Sequence, residues 1–152
     1  MLREQVTEAL KTAMRAHEQE TVSTLRMIMA GIKDKDIAIR PSGRADGIND
    51  AEILTLLQGM VKQRRESVAL YRQGGRQDLV AKEEAEIGVI ERFMPKQMTP
   101  NEIEAAIAAL IAETGASSIK DMGRVMSELK ARYGGQMDFS AAGSAVKARL
   151  GG

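Results

Sequence analysis

Apolar residues recur at helical spacing through almost the whole chain. Leu2, Val6, Leu10 and Met14 form one stripe and Val22, Leu25, Met29 and Ile32 a second, each stepping three or four residues as one face of an α-helix requires. The stretch "RPSGRADGI" interrupts this pattern with Pro41, Gly43 and Gly47 and reads as a flexible loop. The pattern then restarts with a full start signal. Asn49 is placed to cap, Glu52 to reach back to it, and Ile48 to staple onto Ile53. Ile53, Leu57, Met60, Val61, Val68 and Tyr71 carry a long third helix to Gly74-Gly75, a pair suited to a left-handed cap and turn. Leu79, Ile87, Ile90 and Phe93 mark a fourth helix, which Pro95 ends.

"MTPNEI" is a second complete start signal, with Met98 as staple, Thr99 as cap, Pro100 in the first helical position and Glu102 closing the box. Three short helices follow: one to Gly115, one from Ile119 to Tyr133, and one from about Asp138 through Val146 and Leu150. No segment alternates with a period of two. The fold class expected is all-α in two parts: an N-terminal long-helix domain over residues 1–94, a hinge at 95–98, and a compact C-terminal three-helix bundle over 99–152.

Composition narrows the chemistry. A net charge of +1 supplies no global field to draw in nucleic acid or anionic lipid, so any polyanion must bind a local patch. Cysteine is absent, which removes disulfides, thiolate nucleophiles and zinc clusters. "MLREQVTEAL" carries two acids and no apolar core of signal-peptide length, and the longest apolar runs fall short of a membrane span. The expectation is a soluble, cytoplasmic protein without a membrane partner. Aromatic residues make up only 3%, too few for a base-stacking platform, and the ten methionines mostly sit at helical core spacing. The single histidine, His17, falls at the end of the first helix, where its cationic form suits the dipole; no metal site and no cofactor are expected.

"MVKQRRESVALYRQGGRQDL" is the densest basic stretch. On a helix Lys62, Arg65 and Arg72 share one polar arc, whereas Arg64 lands in the apolar face between Leu57 and Tyr71. Glu83 and Glu86 likewise fall within the apolar arc of the fourth helix. If these two helices fold back at Gly74-Gly75, Arg64 faces residue 85 or so, and a partly buried structural pair of Arg64 with Glu83 or Glu86 follows.

"GASSIKDMG" places two serines beside Lys120, the nucleophile-and-base arrangement of amidase-type hydrolases. The same residues also read as a helix start, with Gly115 closing one helix, Ser117 or Ser118 capping the next, and Asp121 at the capping-box position for Ser118. The helix start is the reading adopted, and no catalytic residue is assigned.

These stretches, with "TLRMIMAGIKDKDIA", "EEAEIGVIERFMPKQM", "ETGASSIKDMGRVM" and "GGQMDFSAAGSAVKARL", together resemble the YqeY-like (GatB/YqeY) proteins. These are related to the C-terminal tail domain found in one of the subunits that make up the glutamyl-/aspartyl-tRNA amidotransferase. The resemblance implies a two-part helical fold ending in a three-helix bundle, and a non-catalytic module that binds tRNA or a tRNA-handling enzyme. By similarity to a tRNA-contacting tail, Lys120, Arg124, Lys147 and Arg149 are the candidate nucleic-acid contacts of the C-terminal bundle. Lys62, Arg65 and Arg72 are the candidates in the N-terminal hairpin. Lys120 and Arg124, four apart, are expected on one helix face. Two other functions stay open: an amidotransferase-related accessory protein or enzyme, with carbon–nitrogen ligase activity and glutamine as amido-nitrogen donor, and a protein-interaction module with no RNA role.

Overall fold

A computed structural model describes residues 1–151. Seven α-helices account for most of them, and no strand occurs among the described residues. They are α1 (Leu2–Arg15), α2 (Gln19–Ile39), α3 (Asp50–Gln73), α4 (Gln77–Glu91), α5 (Pro100–Thr114), α6 (Met122–Tyr133) and α7 (Phe139–Gly151). Single 3-10 turns at Arg40–Ser42 and Ile119–Asp121 follow α2 and precede α6. The chain packs as two compact units, Met1–Met94 and the residues from Pro95 onward.

Helices begin where local chemistry satisfies their free N–H groups. The Asn49 side chain accepts from Glu52 N–H at 2.9 Å while the Glu52 carboxylate accepts from Asn49 N–H at 3.2 Å, closing the box that opens α3. Thr99 and Glu102 do the same for α5, at 3.2 and 3.0 Å. The start of α1 is served from a distance: Leu2 N–H donates to the Asp50 carboxylate at 3.2 Å.

In the first unit α3 and α4 pair as an antiparallel hairpin, and α1 and α2 as another. Leu25, Ile28, Leu57, Val6 and Ile90 lie fully buried between them. The apolar stripe of α1 differs from a strict four-residue repeat: Ala13 is buried, whereas Met14 is 48% exposed. Each four-residue step overshoots a full turn by about 40°, so by the third step the side chain has rotated out of the core and its neighbour has rotated in.

The segment expected to be a flexible loop is tied down. Asp36, on the last turn of α2, accepts from Arg3 Nη1 at 2.7 Å, from Arg3 Nη2 at 3.0 Å and from Ile48 N–H at 2.8 Å. Arg3 Nη2 also donates to the Ile48 carbonyl at 3.0 Å. Gly47 has a φ of +86°, and a Cβ there would run into both the carboxylate and the guanidinium, so glycine is required for conformation and for space. This node fixes Ile48, which is buried, at the head of α3.

In the second unit Ile107, Leu110, Val125, Leu129 and Val146 form the centre of a three-helix core. The residues expected to form a hinge at 95–98 are held at their C-terminal end: Gln97 Nε2 donates to the Gly135 carbonyl at 2.8 Å and Met98 N–H to the Gln136 carbonyl at 2.9 Å. Both acceptors lie in the turn between α6 and α7.

The Asp36 node has a pH signature. The Arg3 guanidinium first, and the Ile48 N–H after it, hold the Asp36 carboxyl below its ordinary value of 3.8. A carboxyl depressed by folding adds stability above its unfolded value and loses it as pH falls through the folded one. Asp36→Asn is expected to lower stability at pH 7 by about 1.5–3 kcal/mol, the worth of hydrogen bonds to a charged group. Urea unfolding at pH 7 and pH 3 should show this gap narrowing at the lower pH.

Candidate functional site

The basic stretch of α3 is mostly committed to the hairpin that contains it. Arg64, with 11% of its side-chain surface exposed, donates from Nε to Glu86 Oε2 at 3.0 Å, from Nη1 to the Met60 carbonyl at 3.1 Å and from Nη2 to Met27 Sδ at 3.5 Å. Glu83, half-exposed, is not among its partners. Glu86 lies one turn nearer the C-terminus of α4, where an antiparallel partner of Arg64 must sit, and Glu83 is three residues too close to the turn.

The two arginines on the polar arc reach across the same hairpin. Arg65 Nη2 meets Glu91 Oε1 at 2.8 Å and Arg72 Nη2 meets Glu84 Oε1 at 2.6 Å. Beyond the turn Arg76 meets Asp78 at 3.0 Å. Exposed pairs of this kind contribute about 0–1 kcal/mol each. Their larger effect is on charge: the arc that the sequence presents as cationic is interleaved with carboxylates. Lys62 lies exposed on the same helix.

The second unit separates its arginines from its lysines. Arg132 holds Glu113 with two bonds, at 2.9 and 2.8 Å, tying α6 to α5, and the guanidinium holds the Glu113 carboxyl below the usual range. Arg149 reaches Glu104 at 3.1 Å, tying α7 to α5. Arg124 donates to the Thr114 carbonyl at 3.0 Å, serving the free C-terminal carbonyls of α5, and lies 3.5 Å from Asp121. Lys120 and Lys147 are exposed and have no carboxylate within ion-pair distance among the described residues.

Lys120 and Arg124 do not share an α-helical face. Lys120 belongs to the 3-10 turn and α6 begins only at Met122, so the four-residue helical relation between them is broken. The turn packs against α7, and a Cβ on Gly151 would lie 3.5 Å from Ile119 Cδ1. Gly143, two turns earlier, faces the methyl ends of Met122 and Met126 at 3.8 Å. Lys147 stands between these glycines in the same four-residue row of α7 and is exposed.

The serine cluster forms the turn. The Asp121 carboxylate accepts from Ser117 N–H at 3.0 Å and from Ser118 N–H at 3.3 Å, and these bonds hold it below the ordinary carboxylate value. Gly115, at φ +69°, closes α5 just before it.

A family model described as Yqey-like protein matches residues 3–150. A curated relative from Pyrenophora tritici-repentis, named altered inheritance of mitochondria protein 41, mitochondrial, is 30% identical over 129 residues, covering 81% of this chain and 68% of its own. Its namesake from Lachancea thermotolerans is 28% identical over 106 residues, 68% of this chain and 54% of its own. That of Saccharomyces cerevisiae is 26% identical over 95 residues, 62% of this chain and 49% of its own. The chain thus spans about half to two thirds of these relatives. Their names are those of mitochondrial proteins, which overturns the expectation of a cytoplasmic location. A cysteine-free helical domain is compatible with any compartment, so composition carried no address.

Arg64 is buried enough for its loss to strand Glu86. Arg64→Met alone should cost about 3 kcal/mol, whereas adding Glu86→Leu should recover most of that loss. Urea unfolding of the two single variants and the double variant measures the coupling directly.

Proposed function

The chain belongs to the YqeY-like family, and from that premise we propose that it is a non-catalytic helical module that holds tRNA by its phosphates. The observation that carries the reading is that Lys120 and Lys147 are both exposed without a carboxylate in ion-pair distance among the described residues, one on the 3-10 turn and one on α7, two elements that pack together. The second unit carries seven basic and six acidic residues, so attraction must come from such a local grouping and not from the unit as a whole. Its arginines are turned inward on carboxylates and a helix-end carbonyl.

Lysine is a compact point charge on a flexible stem, suited to following a phosphate backbone without reading bases. The scarcity of aromatic side chains agrees with this, since base stacking needs them. The resemblance of this chain to the tail of an amidotransferase subunit supplies the class of RNA. The serine–lysine cluster supports a binding role, because its polar groups build the turn that presents Lys120.

Binding of purified protein to bulk tRNA, followed by anisotropy across a salt series, tests the proposal. Affinity should fall linearly in log salt, and Lys120→Ala with Lys147→Ala should reduce the slope by about two. Arg65→Ala with Arg72→Ala should leave the slope as it was. An unchanged slope in the lysine variant, or no binding at low salt, would refute this function.

A further inference from the structure

Three α-helices are followed within two residues by a left-handed glycine: Gly75 after α3 and Gly115 after α5, each at φ +69°, and Gly135 after α6 at φ +79°. The first helix ends in the same way without one. His17 has φ +58°, its N–H donates to the Met14 carbonyl at 3.2 Å, and Glu18 N–H donates to the Ala13 carbonyl at 3.0 Å. It is the one non-glycine residue with positive φ among the described residues. A side chain is strained in that conformation and glycine is not, so the turn alone gives no reason for histidine.

The reason lies beside it. His17 lines an open trough of about 590 Å³ whose floor is the outer face of α2. Met14, Val22, Met27 and Ala30 supply the apolar lining, and two of these methionines, at 48% and 37% exposure, are among the most exposed large apolar side chains of the unit. The lining on α2 runs from Gln19 to Ala30, about 17 Å or three helical turns. Arg26 projects into it, exposed and with no carboxylate within ion-pair distance among the described residues. No aspartate or glutamate lines the trough.

We propose that this trough docks an acidic amphipathic helix from another protein. Its apolar residues, spaced at three and four, would seat among the trough's methionines, and its carboxylates would meet the Arg26 guanidinium and the His17 imidazole N–H. The length and openness of the trough favour a helix over a small enclosed ligand, and the one-sided charge of its lining favours an acidic partner over a second copy of this near-neutral unit.

The probe is a fluorescein-labelled sixteen-residue helical peptide with leucines at three- and four-residue spacing flanked by glutamates, compared with its lysine-flanked counterpart. The full chain should bind the acidic peptide at least about tenfold more tightly than the basic one, and Arg26→Glu should abolish or reverse that preference. His17→Gly should raise the urea midpoint while weakening the acidic peptide several-fold, a combination that a purely structural histidine would not produce. Equal binding of both peptides, or of neither, would overturn the proposal. So would a dimer in sedimentation equilibrium that Arg26→Glu dissociates, since a second copy would then occupy the trough.

Discussion

The first unit is organised around one guanidinium that is largely withdrawn from bulk water. Arg64 sits at a position the apolar pattern of α3 assigns to the core, and its charge must be met there by protein. It is met from three directions: Glu86 on α4, the Met60 carbonyl on its own helix, and the Met27 sulfur on α2. One side chain thereby joins three helices and sets the register of the α3–α4 hairpin. The outer pairs Arg65–Glu91 and Arg72–Glu84 bridge the same two helices on the exposed side. With these arginines matched to carboxylates across the hairpin, much of the most basic stretch of the chain becomes a seam between two helices.

How much of this was legible in the sequence depended on distance along the chain. Capping boxes at Asn49–Glu52 and Thr99–Glu102 involve residues three apart and follow from local rules. The burial of Arg64 followed from helical geometry, and the glycine pair narrowed its partner to two glutamates. The Arg3–Asp36–Ile48 node was not legible, because Arg3 and Asp36 are thirty-three residues apart and each resembles an ordinary charged surface residue. Gly47 was the available signal, though a turn-rich stretch with three breakers reads first as a loop. The carboxylate partners of Arg149 and Arg132, forty-five and nineteen residues away, were hidden for the same reason. Pairing of the exposed arginines was therefore invisible until the helices were packed, and with it the difference between engaged arginines and uncompensated lysines.

That difference follows from the chemistry of the two cations. A planar guanidinium can bond a carboxylate with two parallel N–H groups, which makes arginine suited to bridging helices. Arg132 on Glu113 and Arg3 on Asp36 both use it so. An ammonium has no such preference for a fixed partner and stays hydrated at the surface, available to a phosphate. In the second unit this division leaves Lys120 and Lys147 without carboxylate partners among the described residues, the first of them on a 3-10 turn that the helical pattern alone does not show.

The most direct test is to map where tRNA touches the protein. Two-dimensional 1H–15N spectra of the labelled chain, recorded while bulk tRNA is added, report each backbone amide separately. Shifts and broadening are predicted to concentrate between Ser117 and Arg124 and along α7 around Lys147, with the α3–α4 seam little affected. Changes confined to the seam between Lys62 and Arg76, or a spectrum that tRNA leaves unaltered, would contradict a phosphate-binding role for the two lysines.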